Sequence, residues 1–215
     1  SALGLDPFEI RARNLVPTEA FPHQSHGGFQ FECLGQQDSL DRIRQETADA
    51  RAQVAERRAE GGRKRLGLGI AVYVELTSPG VGFYGLGGAR ISSRETATVR
   101  LESDGAVTVQ VGITDQGQGV ETVIAQVVAD GLGVAVERVR VLHGGTSGAP
   151  HGGGAWASRG ASLGGEAAYR AARTLRQRIV DVAAAALQRP DGAARLGLAA
   201  GEIVDADGVV VMSLA

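Results

Sequence analysis

Two glycine-rich loops, each followed by a helix-like pattern of apolar residues, constrain the fold of this chain more than any other feature. The first covers residues 116–119 (Gln-Gly-Gln-Gly), and the second covers residues 152–160. The first turn of a helix leaves backbone N–H groups unpaired and carries a partial positive charge, while glycine lets the backbone approach a ligand closely. Two such turns in one small region predict a site for a phosphate or a pyrophosphate.

Apolar periodicity around these loops predicts an α+β fold, with a mixed sheet and packed helices. Helices are predicted over residues 6–14, 39–59, 120–132 and 167–186, and strands over residues 66–76, 95–101, 106–111, 136–142, 203–204 and 209–212. Residues 1–65 are predicted as an N-terminal helical and connecting segment. Residues 66–215 are predicted as the ligand-binding domain, which contains both glycine-rich loops. The first glycine-rich loop then lies inside a strand, helix, strand unit.

Composition excludes several classes of protein. The formal net charge of −2 provides no global field for nucleic acid, and no apolar run reaches the roughly 18 residues that a membrane span needs. Cys33 is the only cysteine, so no disulfide can form within the chain, which fits a cytoplasmic protein. The 32 glycines, about twice the average usage, indicate many tight turns and close backbone approaches.

Other local motifs carry less weight. Residues 80–85 match the dinucleotide-binding pattern Gly-x-Gly-x-x-Gly, but a strand pattern follows them where that motif requires a helix. His23, His26 and Cys33 lack a fourth zinc ligand, so we interpret them as loop residues. There is no Walker A pattern, no nucleophile elbow around Ser147 and no His-Glu-x-x-His.

Residues in and beside the two loops suit the holding of a cofactor. The amide of Gln118 can both donate and accept at the edge of a heterocycle, while Ser158 and Arg159 offer a hydroxyl and a planar guanidinium for phosphate oxygens. His143 and His151 flank the second loop, either to serve a reaction or as ordinary hydrogen-bonding residues.

Three motifs in this order resemble a known family. Residues 115–130, residues 139–146 and Ala157-Ser158-Arg159 closely resemble the molybdopterin-binding large subunit of the xanthine dehydrogenase, aldehyde oxidase and carbon monoxide dehydrogenase family. The opening Leu-Gly-Leu-Asp-Pro of residues 3–7 and residues 66–76 extend the resemblance over nearly the whole chain. It implies a domain of the aldehyde oxidase/xanthine dehydrogenase type.

The resemblance also implies site residues. The first loop would contact the pterin and the molybdenum side of the cofactor, and the second would hold its phosphate end or the cytosine dinucleotide extension common in bacteria. The implied cofactor-binding residues are Gln116, Gly117, Gln118, Gly119, Thr122, Ala157, Ser158, Arg159, Gly160 and Ser162. The sequence departs from the family pattern at three of its positions, where Ala157 replaces Gly, Gly160 replaces Ser and Gly145 replaces Asp.

The family's reaction is implied only in outline. It oxidises an aldehyde, a heterocycle or a similar small molecule with water as the oxygen source, and electrons pass to iron-sulfur and FAD partner subunits. The Gly-x-Gly-Glu type loop that supplies the family's base is not found in this sequence. We therefore expect a middle portion of the molybdenum subunit that is inactive until other chains complete it, with no catalytic residue assigned. The alternatives are a noncatalytic cofactor-binding or assembly fragment, and a generic nucleotide binder.

Overall fold

The computed structural model describes residues 3–79, 94–145, 148–189 and 192–214. The chain divides into two compact units, one over Ser1–Val74 and one over Glu75–Ala215. Helices are combined with a sheet that contains both parallel and antiparallel strand pairs, so the predicted α+β class is confirmed. The interpretations of residues 80–85 and of Ser147 lie outside the described residues.

The first unit is mainly helical. Its elements are α1 (Pro7–Ala12), β1 (His23–Gln24), β2 (Gln30–Phe31), α2 (Gln36–Glu46) and α3 (Ala48–Ala59). Asp6 caps α1, because its Oδ1 accepts the backbone N–H groups of Phe8 at 2.9 Å and Glu9 at 3.3 Å. The apolar side chains buried here are those of Phe8, Leu40 and Val54.

The single helix predicted over residues 39–59 is wrong, because the structure has two helices that meet at Thr47. Thr47 ends α2 and precedes α3 with φ −99° and ψ 11°, outside the helical region. Its Oγ1 donates to the carbonyl of Ile43 at 2.7 Å, a bond back to the preceding turn that bends helices. The apolar period continues across this break, which explains why the sequence alone gave no sign of it.

The strand predicted over residues 66–76 is also wrong. The described residues give this segment no strand partner and no regular structure. Gly67 and Gly69 weaken its preference for a strand, and the carbonyl of Ile70 accepts a hydrogen bond from the Arg11 guanidinium instead. Alternation of apolar residues predicts a strand only where a neighbouring strand is available to pair with it.

The second unit contains a three-stranded mixed sheet. Its strands are β3 (Ala97–Leu101), β4 (Val107–Val111) and β5 (Val139–Leu142), with β4 in the centre. The strands predicted over residues 95–101 and 106–111 correspond to β3 and β4, which pair as antiparallel neighbours with Val99 opposite Val109. β5 runs parallel to β4, with Val141 opposite Val109, so the predicted strand, helix, strand unit is confirmed.

Two helices pack on this sheet. They are α4 (Val120–Leu132) and α5 (Gly165–Ala186), both as predicted in type and position. The buried core formed by the sheet and these two helices includes Val109, Ile124 and Ala168, each 0% exposed. Alanine on the packed face of α5 permits close approach to α4. Both glycine-rich loops therefore lead directly into helices of this core.

The chain ends in a second small sheet of β6 (Gly197–Ala199), β7 (Glu202–Val204) and β8 (Val210–Ser213). The strands predicted over residues 203–204 and 209–212 correspond to β7 and β8, which pair antiparallel. Leu198 and Ile203 pack there against Val180 and Ala183 of α5. In the described part of the chain, no helix has both the length and the apolar content to cross a membrane.

Candidate cofactor-binding site

The first glycine-rich loop turns sharply into α4. Gly117 has φ 95° and Gly119 has φ 76°, in the left-handed region that favours glycine. Asp115 holds the turn, because its Oδ1 accepts the Gly117 N–H at 2.7 Å and its Oδ2 accepts the Glu121 N–H at 3.1 Å. These hydrogen bonds hold the pKa of Asp115 below its ordinary value, and the bond from the Glu121 N–H has the largest effect.

Gln118 shapes the same loop with one end of its amide. Its Oε1 accepts the backbone N–H of Gln116, while the side chain as a whole is exposed. Among the described residues no hydrogen bond is made by Gln118 Nε2. Gln118 lines the cavity described below, where its N–H groups can donate to a bound molecule.

The second loop contains two neighbouring residues in an unusual backbone conformation. Ala157 has φ 46° and Ser158 has φ 53°, although neither is glycine. Such residues are uncommon and cost of order 1–3 kcal/mol each, so they mark positions that the surrounding structure holds in place. One π-helical turn, Gly160–Gly164, then leads into α5. Wide turns of this kind are frequent at functional sites.

The two loops line one cavity of about 430 Å³, within the range of about 300–1,000 Å³ that ligand sites occupy. Its lining residues are Gln116, Gln118, Val120, Val123, Ala155, Trp156, Ser158, Arg159, Gly160 and Ala161. Apolar side chains and polar amide, hydroxyl and backbone groups alternate around it. The lining therefore offers both apolar surface and hydrogen-bonding groups to a bound molecule.

Half of the residues implied by the resemblance line this cavity, namely Gln116, Gln118, Ser158, Arg159 and Gly160. Gly117, Gly119 and Ala157 set the backbone path of the two loops through their positive φ values. Thr122 is exposed on α4 and does not line the cavity. Ser162 is also outside the cavity lining, and its hydroxyl donates to the Arg159 carbonyl at 3.3 Å and pairs with the hydroxyl of Ser78.

Arg159 occupies the wall of the cavity in a buried position. Its side chain is 0% exposed, and its Nη2 donates to Glu95 Oε1 at 2.6 Å. The sequence predicted that the planar fork meets phosphate oxygens, whereas in the structure one arm of the fork is taken by Glu95. Burial raises the pKa of Glu95 above its ordinary value, although the Gly153 N–H and Arg159 oppose the shift.

The two loops differ in charge. Asp115 already occupies N–H groups at the start of α4, and Glu121 adds a second carboxylate in its first turn. At the second loop Glu95 balances Arg159, and the backbone N–H groups of Gly160 and Ala161 belong to a first turn without helical acceptors. N–H groups without helical acceptors are therefore available to an anionic group at the second loop, although the Glu75 carboxylate also lies beside it, 2.9 Å from the Ser158 hydroxyl.

Sequence reasoning missed Glu95 and Trp156, and it gave Asp115 no role. A carboxylate two residues before a glycine loop is a turn signal that could have identified Asp115. Glu95 could not have been found, because 64 residues separate it from Arg159.

His143 and His151 do not line the cavity, and His143 Nε2 lies 3.6 Å from Glu121 Oε2. Within the described ranges no three His, Cys, Asp or Glu residues are grouped as metal ligands.

The fold and the cavity together define an α+β domain with one cavity lined by two glycine-rich loops. Residues 42–213 match the family model of the molybdopterin cofactor-binding domain. The chain therefore belongs to the molybdopterin cofactor-binding domain family, and the resemblance to large subunits of the xanthine dehydrogenase and carbon monoxide dehydrogenase family is confirmed.

Individual relatives agree with this assignment. The chain is 38% identical to the nicotine 6-hydroxylase large subunit of Paenarthrobacter nicotinovorans, over 86% of this chain and 22% of that protein. It is 30% identical to the carbon monoxide dehydrogenase large chain of Hydrogenophaga pseudoflava, over 86% and 23% of the two chains.

A solved structure has the same fold. Quinoline 2-oxidoreductase from Pseudomonas putida 86 superposes with a TM-score of 0.66 at 35% identity, over 95% of this chain and 26% of that chain. The chain thus spans about a quarter of the length of the proteins that it matches.

Proposed function

We propose that the cavity between the two glycine-rich loops holds the molybdopterin cofactor, and that the chain serves as part of a molybdenum hydroxylase or dehydrogenase subunit. The observation that carries this proposal is that two loops about 40 residues apart in sequence line one cavity of suitable size and mixed polarity. The membership of the chain in a family of molybdopterin-binding domains supports the same cofactor.

The pterin end lies at the first loop in this proposal, and the phosphate end at the second. Gln118 Nε2 donates to the heterocycle edge, and Val120, Val123 and Trp156 provide apolar surface for its face. Asp115 and Glu121 disfavour a phosphate at the start of α4. The N–H groups of the turn that begins at Gly160, with the Ser158 hydroxyl, are the better partners for phosphate oxygens.

The cofactor is proposed to carry the cytosine dinucleotide extension. The resemblance implies this form, and the cytidine is expected to continue from the phosphate end, beyond the second loop. The Ser158 hydroxyl donates to Glu75 Oε1 at 2.9 Å, so it donates to a phosphate oxygen only after exchanging this partner.

The reaction is proposed as oxidation of an aldehyde, a heterocycle or a similar small molecule, and a nitrogen heterocycle is favoured. The names of two relatives refer to nicotine and quinoline, which both contain a nitrogen ring. The bound molybdenum supplies the oxidation chemistry, with water as the oxygen source. The cavity lining within the described residues contains no carboxylate and no histidine, so this chain's residues bind and orient the cofactor while the base comes from elsewhere.

Partner subunits with iron-sulfur clusters and FAD are proposed to remove the electrons, and the remaining part of the molybdenum subunit is proposed to complete the substrate site. On this view the isolated chain binds cofactor without turnover, and the complete cytoplasmic complex carries out the reaction. A noncatalytic cofactor-binding or assembly fragment is the second candidate, favoured by the lack of a proton-transferring side chain among the described lining residues.

Cofactor content tests the proposal. The protein is purified from a host that makes molybdopterin, together with its partner subunits, and molybdenum and pterin are measured per mole of protein. Loss of the amide contact in Gln118→Ala should weaken retention roughly 2- to 10-fold. Gln177→Ala, which removes an exposed amide on α5 that donates to Asp181, is the matched control. Wild-type protein without pterin would refute the proposal, and unchanged content in Gln118→Ala would refute the assignment of Gln118.

Two further measurements separate the finer alternatives. Acid hydrolysis of the purified complex should release cytidine monophosphate in an amount equal to its molybdenum, and its absence would exclude the dinucleotide form. Turnover of a nitrogen heterocycle by the complex, with none by the isolated cofactor-loaded chain, is expected of a catalytic component. A loaded complex that oxidises no heterocycle and no aldehyde would favour the noncatalytic candidate.

A further inference from the structure

Four residues around the second glycine-rich loop are linked in a closed ring. Glu95 Oε1 accepts the Gly153 N–H at 2.6 Å, and the Gly153 carbonyl accepts the Trp156 indole N–H at 3.1 Å. The Arg159 guanidinium lies over the Trp156 ring, 5.6 Å from its centroid, and returns to Glu95 Oε1 through Nη2 at 2.6 Å. We call these residues, Glu95, Gly153, Trp156 and Arg159, the loop ring.

The loop ring is buried on its charged side and open on its aromatic side. The side chains of Glu95 and Arg159 are 2% and 0% exposed, whereas Trp156 is half-buried and lines the cavity. A buried charge that loses its partner is strongly unfavourable, so Glu95 and Arg159 fix each other's position. Because Arg159 also lies against Trp156, the position of Glu95 sets the position of a cavity wall.

The backbone around Glu95 also fixes its position. It forms a single β-bridge with Gly152, and a Cβ added to Gly152 would collide with Glu95 Oε2. The glycine at this position therefore allows the carboxylate to lie directly under the loop backbone. A carboxylate so close to the loop serves as its support.

We infer that Glu95 is a positioning residue that holds Arg159 and Trp156 as a wall of the cofactor cavity, and that Arg159 acts through this ring instead of as a free phosphate ligand. This inference rests on the proposed cofactor site. For the removal of Glu95, it predicts the opposite effect on cofactor binding from the one that the sequence pattern implies. An Arg159 fork that binds phosphate would bind it more strongly once Glu95 stopped competing, whereas a ring that holds the wall loses its shape without Glu95.

The test uses Glu95→Gln, which keeps an oxygen for the Gly153 N–H and removes the charge facing Arg159. The matched control is Glu102→Gln, which removes a more exposed carboxylate that pairs with Arg100 at 2.7 Å near the end of the same sheet. Retention of molybdopterin by the purified protein should fall roughly 10- to 100-fold in Glu95→Gln, as for other residues that orient a ligand-holding group, and stay unchanged in the control. Equal or tighter retention in Glu95→Gln would overturn the inference.

Fluorescence gives a readout that needs no cofactor. Trp156 is the only tryptophan in the chain, so its emission reports on the loop ring alone. In cofactor-free protein, Glu95→Gln should shift the emission and increase quenching by acrylamide, and Glu102→Gln should change neither. Unchanged Trp156 emission in Glu95→Gln would overturn the inference. A shift in protein whose wild-type form holds no molybdopterin would support the ring and refute the proposed function.

A double variant covers the case in which Glu95→Gln does not fold. Glu95→Gln with Arg159→Gln removes both buried charges and leaves no unpaired ion. The double variant should fold, show the same change in Trp156 quenching and retain molybdopterin as poorly as the single change predicts. Wild-type retention in the folded double variant would overturn the inference.

Discussion

Adjacent glycines at the start of α5 should respond oppositely to alanine. Gly164 and Gly165 both have helical dihedral angles, with φ near −68° and −60°. A Cβ on Gly164 would lie 2.6 Å from Cδ1 of Ile113, whereas a Cβ on Gly165 would meet only Val127 at 4.0 Å. Ile113 is 0% exposed, so its side chain has no free space to move into.

The two effects can be separated by magnitude. Alanine in place of glycine within a helix stabilises by about 0.5–1 kcal/mol, and overpacking a core costs about 1–3 kcal/mol. Gly165→Ala should therefore raise the free energy of unfolding by about 0.5–1 kcal/mol. Gly164→Ala should lower it by about 1 kcal/mol, which corresponds to about 2–4 °C in melting temperature for a chain of this size.

Urea or thermal unfolding of the purified protein, followed by circular dichroism, measures both changes. Gly165→Ala is the internal control, because it makes the same chemical change one residue away. Equal stabilities for the two variants would refute the packing of the π-helical turn against Ile113.

Three further changes test other parts of the account. Gly133→Ala should lower the free energy of unfolding by about 2–4 kcal/mol, because φ is 84° and the new Cβ would lie 2.5 Å from the Leu198 carbonyl oxygen. Gly208→Ala, with φ 79° and open space around the new Cβ, should lower it by only about 1–2 kcal/mol. Denaturant unfolding measures both changes. Ala157→Gly should stabilise by about 0.5–1 kcal/mol, since glycine removes the Cβ strain at φ 46°, and a loss of stability would contradict this. The pKa of Asp115 is below its ordinary value of 3.8, so its stabilisation is complete above pH 3.8 and is lost as pH falls through the lower folded-state pKa. The difference in unfolding free energy between wild type and Asp115→Asn should therefore shrink on acidification through that window, and a constant difference would refute the role of Asp115.

Local pattern predicted the second unit well. The apolar period after Gly119 and the alternation around Val109 placed α4 and β4, because these elements bury one face against a single core. The glycine-rich loops were identified for a different reason, the backbone conformation that glycine permits. Only glycine adopts the backbone of Gly117 and Gly119 without strain, so its placement in the sequence marks the turn.

Pairing over long sequence distances could not be predicted. Residues 66–76 alternate as a strand does, yet their described neighbours provide no strand to pair with. Glu95 reads as an ordinary residue at the start of a strand, and its contact with Arg159 depends on how the sheet and the second loop meet. The chemistry of the loops was therefore visible in the sequence, while the residues that support them were not.

The position of the bound cofactor decides whether the cavity between the two loops is the binding site. A crystal structure of the cofactor-loaded protein, with an anomalous map at the molybdenum absorption edge, would locate both the metal and the pterin. We predict pterin density between Gln118 and Trp156, with Gln118 Nε2 in hydrogen-bonding distance of the heterocycle and the phosphate beside Ser158 and Gly160. Cofactor density outside this cavity, or with the phosphate at the start of α4, would contradict it.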